Sequence, residues 1–385
     1  MVLTSHARRL TFDAHNHIHL SLPGGIPPLI DVNCYGAVGT STQEILGQHA
    51  KAIRQALHLD LTEEPSSDPS TSSTGVDGEL TMVNASLGGL ALMSTQPRDF
   101  PIVESLSKSS LLSSSVVTCF GVHPWFLPQA NQDFVECTTS DTANYGTNDH
   151  FLLDHFTEYN QFEWLSYLKE TLTQNPTSHV GEIGLDGARY DPITKDLVCP
   201  MEEQVLSFEA QMHLAADRGL SVSIHAVRCW GPLMDSMRNI KQSRNRIRKE
   251  QKLKVKRIRR RNIKEGGKED DSTNSHIWLL PPKIYFHAFG GKVAVVDQLD
   301  AICCDSAETF YGFAPVINFR SPKTKDLIRK VGIERLVLES DLEDYSHVME
   351  DLESNTLFVA DALSLDSDTV LKQTLENAKR LYCLE

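Results

Sequence analysis

Apolar, β-branched runs recur along the chain at Leu10–Phe12, Leu90–Met93, Val116–Val122, His179–Leu185, Leu220–His225, Lys283–His287, Thr309–Phe313 and Arg335–Leu338. Amphipathic stretches separate or follow them: Thr42–Leu57, Ile102–Leu106, Phe162–Leu172, Glu202–Arg218, Lys292–Leu299, Lys323–Val331 and Ser367–Leu381. Glu202–Arg218 is the clearest, with Val205, Phe208, Met212 and Ala216 on one helical face. Eight strand candidates alternating with helices predict an α/β fold on a parallel sheet. That sheet is either closed as a (β/α)8 TIM-like barrel or open and doubly wound. No G-x-G-x-x-G follows the first strand, which weighs against an open dinucleotide-binding sheet. A single barrel domain over residues 10–385 is expected.

Three stretches break the rhythm and read as long surface inserts. The first, at about 60–80, centres on Thr62–Gly78, which is Ser, Pro, Thr and acid without apolar periodicity and reads as a disordered loop. The second, at about 129–160, is polar and acidic over Gln129–His150. The third, at about 239–276, has fourteen Lys or Arg against Glu250 and Glu265 within Lys241–Lys268, a local charge of +12. The whole chain carries −14, so the remainder carries −26. A uniformly basic nucleic-acid binder is excluded, although a local basic patch is not. A solvated helix extension, a charged excursion at the surface, is the favoured reading of the third insert. Nuclear targeting through Lys256–Arg261 (KRIRRR) comes next. A nucleic-acid contact is the third reading, kept open because a loop leaving the fifth strand belongs on the active-site side. No aromatic residue interleaves the cations, so base stacking is not part of it.

Apolar residues make up 40% of the 385, slightly thin for a globular chain and consistent with a folded body diluted by polar inserts. No run of about 18 apolar residues exists, so no membrane span is expected. Arg8 and Arg9 are not followed by an apolar stretch, so secretion is not expected. The eight cysteines form no C-x-x-C pair and read as reduced thiols of a cytoplasmic or nuclear protein.

The chemistry gathers at the strand ends. The first strand runs into Asp13-Ala14-His15-Asn16-His17, the third into Gly121-Val122-His123-Pro124, and the fourth into Gly181-Glu182-Ile183-Gly184-Leu185-Asp186. The fifth ends in Ile224-His225, the sixth in Phe286-His287 and the last in Glu339-Ser340-Asp341. A barrel places its active site at that end of its strands. His15 and His17, at i and i+2 on extended chain, face one way and can bind one ion together. A lone strand-end histidine is more often a satisfied polar residue than a ligand, so the weight lies in the recurrence. Imidazoles and carboxylates without a thiolate suit zinc, manganese or iron, with magnesium possible.

The ordered set HxH, GVHP, GEIGLD, IH, HAFGG and ESD resembles the TatD family of metal-dependent deoxyribonucleases, within the amidohydrolase-like barrels. EQVLSFEAQMHLA (203–215) and NAKRLY (377–382) are similar to that family's helices, and the resemblance covers most of the chain outside the inserts. It implies two divalent metal ions (zinc, manganese or magnesium), with His15, His17 and Asp341 on the first, Glu182 bridging, and His225 and His287 on the second. It implies catalytic roles for Glu182 and for Asp341, which would take the proton from water. It also implies substrate contact by His123, for which a structural role is equally consistent, and by Arg228. Asp186 is read either as orienting a ligand or as capping its loop.

Two departures bear on the substrate. The segment Glu339-Ser340-Asp341 continues into Leu342-Glu343-Asp344, where the family usually has a proline, and added acid disfavours a polyanion. Arg228 stands three residues beyond His225, farther than the family's usual basic residue. Three functions follow: a metal-dependent phosphodiesterase acting on DNA, an amidohydrolase-type enzyme for a small ester or amide, and a scaffold that binds a protein partner through its inserts.

Overall fold

The computed structural model describes residues 10–18, 40–57, 86–112, 116–137, 152–264 and 277–384. Among these residues are seven strands: β1 (Leu10–Asn16), β2 (Ser86–Met93), β3 (Val116–Phe120), β4 (His179–Asp186), β5 (Val222–Val227), β6 (Lys283–Phe286) and β7 (Glu308–Tyr311). They pair in chain order, every pair parallel, in one curled sheet. Where an eighth strand is expected, Leu336 makes a single parallel bridge to Tyr311. The Val337 amide donates to the Tyr311 carbonyl, and those of Ala14 and His17 donate to the carbonyls of Leu338 and Leu342. The backbone from 336 to 342 therefore closes the gap between β7 and β1. It makes too sparse a ladder to be a regular strand, and Asp341, at φ 57°, turns it out of extended conformation. The α/β barrel reading holds, with an irregular eighth stave.

The helices are α1 (Thr40–Ala56), α2 (Phe100–Lys108), α3 (Leu127–Cys137), α4 (Trp164–Gln174), α5 (Met201–Arg218) and α6 (Trp230–Lys264). They continue with α7 (Val293–Cys303), α8 (Pro315–Asn318), α9 (Thr324–Val331), α10 (Val348–Leu363) and α11 (Ser367–Tyr382). The periodicity of α5 is realised, since Phe208, Met212 and Ala216 are buried. Phe208 and Met212 each contribute roughly 1.5–3 kcal/mol by leaving water. Gly219 then ends the helix in the left-handed region at φ 66°.

One end of the barrel is plugged. Leu381 and Tyr382 at the end of α11 pack with Phe12, Ala91, Cys119 and Phe310 of the strands. Tyr382 Oη donates to the Ala14 carbonyl at 2.8 Å, and Ser221 Oγ to that of Leu381 at 2.6 Å. His179 and Ser221 precede or open their strands, so this is the N-terminal face. The opposite face is left to the site.

Two of the expected inserts are more ordered than their composition suggests. The acidic stretch begins inside α3, and its far end forms short turns at Leu152–His155 and Thr157–Gln161. Those turns bury Leu152, Leu153 and Tyr159, sparse apolar anchors that a composition reading averages away. The basic stretch continues α6, a helix of 35 residues. Thr62–Gly78 lies outside the described residues. No described helix is long and apolar enough to cross a membrane.

Candidate metal centre

At the C-terminal face the strand ends deliver their side chains to one point, the Glu182 carboxylate of β4. On one side of it, Glu182 Oε2 lies 3.5 Å from His15 Nε2 and 3.0 Å from His17 Nε2. Those two nitrogens are 3.2 Å apart, in keeping with an i, i+2 spacing across the end of β1. Asp341 Oδ1 stands 3.7 Å and 3.8 Å from them. On the other side, Glu182 Oε1 lies 2.6 Å from His287 Nε2, 3.0 Å from His225 Nδ1 and 3.4 Å from His123 Nε2. His225 and His287 approach each other to 3.3 Å.

Donors at about 2.0–2.1 Å around a tetrahedral ion stand roughly 3.4 Å apart. The spacings of the first group bracket that value and those of the second run from 2.6 Å up to it, and the nitrogen and carboxylate donors are ones that divalent ions accept. His287 Nδ1 is buried without a hydrogen-bond partner. The donor set thus fits metal on both sides of Glu182. Glu339 also lies with His15 and His287. Its oxygens, however, take hydrogen bonds from Tyr285 Oη and from the Ala288 amide at 2.7 Å, and burial holds the acid well above its ordinary range.

The second layer sets the ring tautomers. The Met93 carbonyl, 2.9 Å from His17 Nδ1, can only accept, so that proton is fixed and Nε2 faces Glu182. Asp186 Oδ2 lies 3.1 Å from His225 Nε2 and turns Nδ1 inward in the same way. It also accepts from Trp125 Nε1 at 2.7 Å, while Asp186 Oδ1 accepts from the Ala188 and Arg189 amides. Asp186 thus touches His225 with one oxygen and caps its own loop with the other. Ser223 Oγ stands 2.9 Å from His15 Nδ1. Asp13 accepts from the Ser340 amide and hydroxyl at 3.0 Å and 2.6 Å, tying β1 to the segment that carries Asp341.

Burial lowers His15 well below its ordinary value and His123 to about 4, so both are neutral donors. Burial also opposes protonation of His17 and His225. The Glu182 carboxylate outweighs it for His17, and Asp186 with Glu182 for His225, so each rises to about 9. Burial raises Glu182, but the surrounding imidazoles outweigh it and hold the carboxylate well below its ordinary range. Histidines raised from about 6.5 in the unfolded chain favour the folded state fully below that pH and lose this contribution as pH rises through about 9. In chelator, the melting midpoint is therefore expected to fall between pH 6.5 and 9.5, and the His17→Gln/His225→Gln protein to show little of that fall. A flat or rising wild-type midpoint would contradict the charge state.

The site opens into a cleft of about 490 Å³ lined by His17, Glu182, His225 and His287 together with Trp125, Arg189 and Glu343. His123 lines it too. Arg228 is exposed, at φ 51°, outside the lining residues. The cleft's cation is instead Arg189, its guanidinium 4.8 Å from the centre of the Trp125 ring. Sequence reading missed both members of this pair. The signal available was adjacency: Trp125 follows the GVHP run directly and Arg189 stands three residues after Asp186. Ser223 was within reach too, at i−2 from His225 on the same strand.

The TatD related DNase family profile matches residues 57–383. A fission-yeast (Schizosaccharomyces pombe) protein named Cut9-interacting protein scn1 is 27% identical, with 80% of this chain and 95% of that one aligned. The zebrafish (Danio rerio) putative deoxyribonuclease tatdn3 is 24% identical over 77% and 87%. Among solved structures, the TatD homologue YJJV of Escherichia coli superposes with a TM-score of 0.54 at 16% identity, covering 97% of this chain and 98% of that one. A TatD-family hydrolase of Entamoeba histolytica gives 0.53 at 12%, over 97% and 98%. These two likenesses concern the fold.

Proposed function

The chain belongs to the TatD-related DNase family, and from that premise we propose that it is a divalent-metal-dependent phosphodiesterase acting on DNA. The observation that carries the reading is the Glu182 carboxylate, whose two oxygens each face a separate set of imidazole nitrogens. In this reading His15, His17 and Asp341 hold one ion, His225 and His287 hold a second, and Glu182 serves both. Residues 10–385 act as one catalytic domain with its inserts. Ions held there would supply Lewis acidity, lowering the pKa of water and neutralising charge on phosphoryl oxygens.

The protein's own groups supply the rest. Burial raises Asp341 above the ordinary carboxylate range, which suits this carboxylate to receive a proton from the attacking water. Arg189 brings the cleft a fixed cation for a phosphate oxygen, and Trp125 beside it offers a ring face to a base. His123, neutral and at the wall of the cleft, contacts the substrate. Trp125 and Ile317, both exposed, line the cleft and give its mouth an apolar edge suited to unstacked bases.

The test is cleavage of a labelled single-stranded oligonucleotide with Mg²⁺, Mn²⁺ or Zn²⁺, with and without chelator, beside Glu182→Ala. Chelator-sensitive cleavage that the variant lacks is the expected result. Arg189→Ala is expected to raise KM about tenfold or more, the worth of one charge-assisted contact. Equal KM values would remove Arg189 from the substrate. Asp186→Asn keeps an acceptor for the loop amides but sets a donor against His225 Nε2. Metal affinity, followed by competition with a chelating dye, is expected to weaken about 10–100-fold. An unchanged affinity would leave Asp186 only the loop.

One observation favours a second reading. Glu343 lines the cleft, and an acid there suits a small neutral ester or amide better than a polyanion. Absence of nuclease activity in metal-loaded protein would move the substrate to that class. The fission-yeast relative's name records a protein interaction. A partner-binding role for this chain would survive Glu182→Ala.

A further inference from the structure

The basic helix is not at the active-site mouth, where a loop leaving the fifth strand would have put it. α6 begins three residues after β5 and runs back along the barrel, burying Leu233, Met237 and Ile240. It is then pinned at the far end. Lys241 Nζ donates to the Ile302 and Cys304 carbonyls ahead of β7. Arg244, 1% exposed, pairs with Asp217 at 2.8 Å and donates to the Trp278 carbonyl ahead of β6. The twenty residues from 245 to 264 continue beyond this anchor, about 30 Å at the rise of an α-helix. From 245 to 257 none of the described side chains is buried.

The exposed residues of that span are Arg246, Lys249, Lys252, Lys254, Lys256 and Arg257, with Glu250 and Leu253. At 100° per residue the six cations fall within one arc of about 200°, a broad basic face rather than a narrow stripe. Helix-in-groove docking to a protein needs apolar anchors at i, i+3 or i+4, and i+7, and the exposed set offers Leu253 alone. Such a surface recognises dense charge, and double-stranded DNA presents one charge per roughly 1.7 Å of its axis. The rest of the chain carries −26 outside Lys241–Lys268, so it repels the same ligand.

We propose that the distal half of α6 is an attachment site for the phosphate backbone of duplex nucleic acid, on the face opposite the metal centre. This deepens the phosphodiesterase reading, on which it rests for the identity of the polyanion. The anchor at Arg244 lies fourteen residues past Trp230, about 21 Å from the mouth along the helix. A tetranucleotide in the cleft cannot reach it, whereas a long duplex can.

The test uses the full chain carrying K249Q, K252Q, K254Q, K256Q and R257Q, substitutions that keep helix propensity. Binding to a fluorescent duplex of about 40 base pairs is read by anisotropy in chelator, across a salt series. The variant is expected to bind at least about tenfold more weakly, with a log K against log salt slope shallower by about 4. It is expected to hydrolyse a tetranucleotide at the wild-type rate. Unchanged affinity and slope would overturn the proposal, as would wild-type protein that binds a polyglutamate chain but not the duplex. Duplex binding that the variant loses, in protein that cleaves no DNA at all, would keep the attachment site while the phosphodiesterase reading falls.

Discussion

Glu182→Gln is expected to lower kcat/KM on an oligonucleotide by at least about a thousandfold, a loss of roughly 4 kcal/mol in transition-state stabilisation. Glutamine fills the same volume but removes the negative charge between the two imidazole groups, with Oε1 2.6 Å from His287 and Oε2 3.0 Å from His17. Both proposed ions lose a ligand at once, which no other single change at the site achieves. In the metal-free protein, His17 also loses the carboxylate that raises it to about 9, while His225 loses one of two and keeps Asp186. The His17 titration, followed by proton NMR, is expected to move down toward or below the ordinary histidine range, and that of His225 to move less. Catalysis within tenfold of wild type would remove Glu182 from the chemistry.

Gly184→Ala is expected to be the most damaging small substitution in the barrel. A methyl at residue 184 would lie 2.0 Å from the His225 carbonyl oxygen of the neighbouring strand, at a backbone φ of 152° that an L side chain rarely adopts. Gly184 pairs with His225 in register, so relief requires β4 and β5 to part beside a proposed ligand. Steric overlap and backbone strain together cost about 3 kcal/mol or more. For a chain of 385 residues that corresponds to a melting midpoint at least about 4 °C lower, with metal affinity falling alongside. A midpoint within 2 °C of wild type would mean that the two strands yield more easily than their packing implies.

The site was more legible than the frame around it. Strand-end histidines and carboxylates are recognisable because each follows a short apolar run, and the structure brings His15, His17, Glu182, His225, His287 and Asp341 to one point. What local pattern could not show was anything decided across the barrel. The stave carrying Asp341 has strand-like composition, but its ladder is cut short by a positive φ. α3 was hidden under acidic composition, and α10 (Val348–Leu363) escaped the pattern although Val348, Leu352 and Val359 are buried. The basic insert read as a loop because its apolar contacts lie before Lys241, while its one deep anchor is Arg244, a residue that composition counts as surface. Arg228 drew the substrate role through its nearness to His225 in sequence, whereas Arg189, on the loop after β4, reaches the cleft.

The most direct test is metal content by plasma mass spectrometry after loading and desalting, run on wild type and on His225→Ala. Two divalent ions per wild-type chain and one per variant chain, with the remaining ion lost in His15→Ala/His17→Ala/His225→Ala, are the expected stoichiometries. Wild-type protein that retains no ion, or a variant that retains as much as wild type, would contradict a metal centre built around Glu182.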